Sequence, residues 1–419
     1  MEKTTKLFNR DFTLVVIGQI ISLFGNASLR FALPFYLLKE TGSSTLFGIV
    51  TACSFAPMAV LSLAGGVLAD RVNKRNIMVG LDFATAALIT GFYFSIGKVP
   101  AVPLFIVVLM LLYGISGTYQ PAVQASIPLL LSSDKYMKGN AVINQVNTLA
   151  NLIGPAVGGV IFQFYGIDPI LTASMICFTF SAIMEIFIYI PHEKRSWEQG
   201  IFTTAKNDLR ESYRFVKNER PVFLSVMLLV CAFNMVLSAV LIVGLPSVIT
   251  EVLEMSDTLY GFSQSALSLG GLCGGFLAGV AAERLKLKNL HILLLTCSFC
   301  VIVMGVALIS GIPPIIAYGM ITAMSFITMG ASTLFVVQIY TMVQQQTPTQ
   351  LVGKIMAALI AVAMCGQPAG QMVYGILFDV FSKNTWVVFL IASIASILIA
   401  WYSKRIFARL ENKKKEVLR

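Results

Sequence analysis

The chain has 419 residues, of which 57% are hydrophobic and 12% charged, with a net charge of +10. Its mean hydropathy of +0.82 excludes a soluble globular domain, in which charged residues run at about 25%. The basic excess calls for no nucleic-acid partner, because it gathers in loops on one side of a series of apolar runs.

Those runs are long enough to cross a bilayer core as helices, for which about 20 residues suffice. Twelve spans are predicted, at 12–38, 44–69, 76–96, 101–131, 139–163, 170–190, 222–249, 259–282, 290–310, 313–343, 353–378 and 384–403. An even number returns both termini to one side. Of the 30 Lys and Arg, 26 lie on the side of the termini, which predicts a cytoplasmic N-terminus and C-terminus. The first span is too long for a secretory signal and lacks a cleavage site, so a multi-pass protein of the plasma membrane is expected. The polar stretch 191–221 separates an N-terminal bundle (1–190) from a C-terminal bundle with a basic tail (222–419). Within it, 207–217 carries apolar residues at helical spacing and predicts a helix along the inner interface.

In chain order, span 1 carries a polar stripe of Gln19, Ser22, Asn26 and Arg30. The loop after span 2 holds Gly66, Asp70, Arg71, Lys74 and Arg75, and span 3 has Asp82 two turns beyond that loop. Span 4 offers Tyr113, Ser116, Gln120 and Gln124, and span 5 offers Asn140, Asn144, Asn147 and Asn151. Glu185 lies near the end of span 6, Asn234 and Ser238 lie on span 7, and Gln367, Gln371 and Tyr374 on span 11. In hydrocarbon such residues must face protein or water. Stripes on five spans from both halves predict one wet cavity, with Gln19, Asn26, Arg30, Tyr113, Gln120, Gln124, Asn234, Gln367 and Gln371 along it. No His, Cys and acid cluster predicts a metal or cofactor, and no nucleophile with its base predicts an enzyme.

Three charges lie inside spans, where a lipid-centred charge costs at least about 2.5–3.5 kcal/mol. The stripe turns Arg30 toward the cavity, against the alternative of snorkelling to the outer interface. Asp82 reads as a fixed partner of Arg75 or Arg71, or as an acid that titrates. Glu185 either reaches the interface or carries a proton, so both acids stand as proton-coupling candidates.

The chain also repeats itself. Thr45-Leu46-Phe47-Gly48 through Asp70-Arg71 returns 213 residues later as Thr258-Leu259-Tyr260-Gly261 through Glu283-Arg284, and Pro155 finds Pro368 at the same offset. Tandem membrane halves of this kind place a substrate site between two bundles, which implies transport.

The loop Gly66-Val-Leu-Ala-Asp70-Arg71-Val-Asn-Lys74-Arg75 resembles the signature of the major facilitator superfamily, with Glu283 and Arg284 as a degenerate second copy. Asn73 stands where many members have Gly, and is expected to take a left-handed turn. Gly154-Pro155-Ala-Val-Gly158-Gly159 resembles the superfamily's antiporter motif; span 8 matches it with Gly270, Gly271, Gly274, Gly275 and Gly279. Phe31-Ala-Leu-Pro34, Thr41-Gly-Ser and Asp208-Leu-Arg-Glu resemble the drug:proton antiporter branch that includes macrolide-efflux and siderophore-export proteins.

The resemblance implies an all-α fold of twelve transmembrane helices in two pseudo-symmetric six-helix bundles. It implies a cytoplasmic gate at Gly66, Asp70, Arg71, Lys74, Arg75, Glu283 and Arg284, and export of small amphipathic molecules by a monomer, with protons as the partner. Span 4 departs from it: many proton-coupled exporters carry an Arg there, and this span has no charge. A lipid or lysophospholipid flippase and a siderophore exporter are the transport alternatives; a receptor or scaffold on the same fold is the other.

Overall fold

The computed structural model describes residues 7–132, 135–191, 214, 216–217, 221–281, 289–309, 311–347 and 351–417. Among them are twelve long helices and no strand: α1 (Arg10–Thr41), α2 (Ser44–Arg71), α3 (Lys74–Ser95), α4 (Ala101–Leu130), α5 (Tyr136–Tyr165), α6 (Asp168–Ile186), α7 (Pro221–Val252), α8 (Asp257–Ala281), α9 (Leu290–Ala307), α10 (Pro314–Gln346), α11 (Val352–Val380) and α12 (Trp386–Val417). Eleven are long and apolar enough to cross a membrane. The remaining one, α8, is diluted by glycine and serine. α12 runs past its predicted end at 403 into the basic tail. The helix expected at 207–217 falls almost wholly outside the described residues.

Helix ends follow local chemistry. Asn9 caps α1 by accepting from the Phe12 amide, and its amide donates to the Leu130 carbonyl at 2.8 Å. Gly42 closes α1 in the left-handed region (φ 60°), where L side chains are strained. Asn73 corrects an expectation: its backbone is extended (φ −60°, ψ 119°), and its side chain caps α3 by accepting from the Arg75 amide. The turn into α3 is therefore made by a helix cap and needs no left-handed residue.

The chain divides into two compact units. One takes α1, α2 from Val50 onward, α3 to α6, and Asp257–Ser265 of α8. The other takes Ser43–Ile49 of α2, α7, the rest of α8, and α9 to α12. In the first unit, α1 packs against α4, α5 and α6, and α3 against α4 and α6. In the second, α9 packs between α10 and α12, and α7 lies along α11. Two π-helical turns, Asn234–Ser238 and Ser247–Val252, interrupt α7.

The repeat is legible in backbone contacts inside each unit. A Cβ at Gly48 would collide with the carbonyl oxygen of Gln371, and one at Gly261 with that of Pro155. Each copy keeps a glycine where two helix backbones touch, which only a missing side chain allows.

The first turn of α2 is capped from α11. Asp379 accepts from the Ser43 hydroxyl at 2.8 Å and from the Ser44 and Thr45 amides at 2.8 and 3.0 Å. These amides have no partner within their own helix. Asp379→Ala is expected to cost about 0.5–2 kcal/mol, read as a lower melting temperature of the purified protein, with Asp379→Asn keeping part of the loss back. An alanine variant that melts with the wild type would show that water replaces the cap.

Candidate functional site

The stripe on α1 meets polar residues of α4 and α5 around a cavity of about 400 Å³. Asn26, Arg30, Gln120, Gln124, Asn147 and Asn151 line it, together with Met58, Ser62, Ser116 and apolar residues such as Leu23 and Pro121. Spacing explains the convergence: Ser116, Gln120 and Gln124 repeat every four residues on α4, and Asn147 and Asn151 do so on α5. Asn26 donates to the Ser116 hydroxyl at 2.8 Å, which joins α1 to α4 at the cavity wall.

Arg30 turns inward. Its guanidinium carbon sits 3.9 Å from the centroid of the Tyr113 ring, a cation–π contact worth about 2 kcal/mol when desolvated. One Nη lies 3.9 Å from the Met58 sulfur, a weak acceptor, and the buried Nε has no partner. Tyr113 thus acts through Arg30. Among the described residues no carboxylate lines this cavity. The cation is therefore balanced by a ring face alone, which leaves it free to meet a negative group from outside.

Gln19 leaves the stripe's other members. It is fully buried, and its Nε2 donates to the Tyr119 hydroxyl at 2.8 Å. Tyr119 in turn donates to Oε1 of Glu185 at 2.6 Å. Asp82 is 2% exposed and Glu185 0%, and Asp82 and Tyr119 line one small chamber. Two expectations are corrected here. The Arg75 guanidinium donates to the Asn76 side chain instead of reaching Asp82, while the Arg71 side chain, the other expected partner, lies outside the described residues. Glu185 does not reach an interface, because α1 covers it where Gly18 lacks a side chain. Sequence reasoning missed Tyr119; its only signal was a phenol three residues after Ser116 in an uncharged span.

Three expected cavity residues belong to the other unit. Asn234 donates to the Ala363 carbonyl at 3.1 Å and accepts from Ser238, so it ties α7 to α11. Gln367 is half-buried, and Gln371 is fully buried with both side-chain polar atoms unpartnered. On α5, a Cβ at Gly154 would meet the Ala27 side chain at 2.6 Å, and one at Gly158 the Phe31 ring at 3.2 Å. A Cβ at Gly159 would lie 3.0 Å from the Gly261 Cα of α8, and one at Gly261 would collide with the Pro155 carbonyl oxygen. The glycine row farther along α8 serves a different neighbour: Gly270 and Gly274 lie on Phe326 and Gly330 of α10. Of the expected gate, Gly66, Asp70 and Arg71 continue α2 by their backbone, while their side chains and residues 283 and 284 lie outside the described residues.

Residues 15–366 match the sequence pattern of the Major Facilitator Superfamily. Macrolide efflux protein A of Streptococcus pyogenes is 24% identical over 398 residues, which covers 93% of this chain and 94% of that protein. The multidrug efflux pump Tap of Mycolicibacterium fortuitum is 25% identical over 388 residues, covering 87% and 88%. Among solved structures, the nucleoside transporter NupG superposes with a TM-score of 0.76 at 11% identity, over 95% of this chain and 99% of that one.

Proposed function

This chain belongs to the major facilitator superfamily, and we propose that it exports small amphipathic molecules from the cytoplasm by alternating access, in exchange for protons. The observation that carries this reading is the cavity of about 400 Å³ between α1, α2, α4 and α5, whose apolar wall carries amides, hydroxyls and one guanidinium. Its size suits a small ligand, for which pockets run from about 300 Å³ upward. Polar groups there are costly unless they serve water or cargo. Two efflux proteins that resemble the chain over most of its length support the direction.

In the proposed topology the basic loops, with 26 of 30 Lys and Arg, face the cytoplasm, and the protein works as a monomer. The inner gate is assigned to Asp70, Arg71, Lys74, Arg75, Glu283 and Arg284 on the resemblance of these loops to the superfamily signature. The close backbone approach of Gly159 to Gly261 supplies a place where α5 can slide on α8.

A specific observation favours a second reading of the cargo. Arg30, with an unpartnered Nε and no acid in its cavity, suits an anionic amphiphile such as a siderophore or a lysophospholipid. A receptor or scaffold on the same fold should tolerate Asp70→Asn, whereas a transporter should lose turnover.

The test is accumulation of cationic, neutral and anionic amphiphiles in efflux-deficient bacteria, with and without an uncoupler. Wild-type protein should lower accumulation of one charge class at least severalfold, and the uncoupler or Asp70→Asn should restore it. Unchanged accumulation of every compound despite membrane expression would remove efflux and bring the flippase and receptor readings forward.

A further inference from the structure

Two carboxylates, Asp82 on α3 and Glu185 on α6, are buried in one unit with no cation paired to either among the described residues. Each keeps one oxygen unpartnered: Oδ2 of Asp82 and Oε2 of Glu185. The helices around them present little else that titrates. α1 contributes neutral Gln19 and Ser22, α4 contributes Tyr119, and α6 adds Ser181 beside Asp82. Arg30, on α1, belongs to the larger cavity.

Burial takes both carboxylates out of water without a cation beside them, and leaves one oxygen of each without a partner. A salt bridge would have resolved this, and Arg75 does not supply one. A chamber of about 20 Å³, room for one water, lies beside Asp82, Ser22, Thr85 and Tyr119. Its wall includes Asn26, Ser116 and Gln120, which also line the 400 Å³ cavity. Asp82 borders this chamber directly, and Glu185 connects to it through the Tyr119 hydroxyl.

We propose that Asp82 and Glu185, bridged to α1 through Tyr119 and Gln19, form the proton-binding site of this transporter, which exchanges with the substrate cavity through the chamber at Ser22 and Thr85. It rests on the reading of the chain as a proton antiporter and gives that reading a place. Glu185 Oε2 and Asp82 Oδ2 are the free oxygens that take the proton. Tyr119 holds Glu185 Oε1 and fixes which oxygen remains open. Deprotonation leaves charge in a dry site, and water entering from the cavity stabilises it. Cargo seated against Asn26 and Ser116, which the chamber shares, takes over from that water in stabilising the deprotonated acids, so cargo binding and proton binding oppose each other, as antiport requires.

The experiment is infrared difference spectroscopy of the purified full-length protein in lipid, stepped between acid and alkaline pH. The wild type should show the carbonyl stretch of a protonated carboxylic acid that disappears on alkalinisation. Glu185→Gln should remove or displace this band, and so should Asp82→Asn. Tyr119→Phe, which keeps both acids and nearly the same shape, should move it to higher frequency because the carbonyl loses a donor. Absence of the band in the wild type overturns the site, as does a band unchanged in all three variants. The efflux assay separates the premise. Gradient-driven efflux that survives in both acid variants overturns the coupling role. A titrating band without gradient-driven efflux supports the site and overturns antiport.

Discussion

Gly274→Val is expected to leave little folded protein after extraction into detergent, whereas Gly319→Ala should raise the melting temperature slightly. The contrast rests on what each new side chain meets. A Cβ at Gly274 would run into the carbonyl oxygen of Gly330 on α10 and lie 2.8 Å from its Cα. One turn earlier, Gly270 stands against the Phe326 carbonyl in the same way. Both obstacles are backbone, so no rotamer change relieves them. Overpacking costs about 1–3 kcal/mol even where side chains can adjust, and here α8 and α10 must separate. At Gly319 nothing lies within 4 Å, and alanine gains up to about 1 kcal/mol of helix propensity. Heating followed by size-exclusion chromatography reads both. If Gly274→Val melts with the wild type, the two backbones are not in contact in the membrane.

The second large effect concerns charge selection. Arg30→Ala is expected to abolish efflux of anionic amphiphiles while sparing neutral ones, and Arg30→Glu to shift preference toward cations. Removing one partner of a buried ion pair costs about 3–5 kcal/mol, which corresponds to a loss of 100-fold or more. Arg30→Lys should recover part of the activity, since the charge returns without the flat guanidinium that lies over Tyr113. Accumulation of matched anionic, neutral and cationic compounds measures all three. Equal loss for every class would make Arg30 a packing residue of the first unit.

The membrane fold was legible because its cause is local: apolar runs of helix length, and basic residues between them, need no tertiary knowledge. Four of the nine residues expected along the cavity, Asn26, Arg30, Gln120 and Gln124, line the one in the first unit, for a related reason. Asn26 and Arg30, Gln120 and Gln124 recur at helical spacing, and polar stripes in hydrocarbon have few places to go. The acid pair was not legible, because its partners are set by packing. Tyr119 precedes Gln120 by one residue, hence about 100° around α4, and meets a glutamate 66 residues away. The proximity of Arg75 in sequence pointed Asp82 to the wrong partner. Asp379 gave no sign that it caps a helix 335 residues earlier. The glycine row of α8 announced close packing without saying that α10 was the neighbour.

The buried acids also bear on how the chain is made. Asp82 enters the membrane with α3, but Tyr119 and Glu185 emerge with α4 and α6, the latter about a hundred residues later. At about 5–20 residues per second of synthesis, Asp82 waits on the order of 5–20 s for its last neighbour. An isolated ionised acid is held back by a penalty of about 2.5–3.5 kcal/mol, so α3 inserts most easily with that carboxyl protonated or still at the edge of the insertion machinery. Arg30 imposes the same delay on α1. Helices α9 and α10 carry no acid, Lys or Arg. Biogenesis is therefore slowest in the first half, where nascent chains arrested before α6 should be the ones most readily captured by membrane quality control.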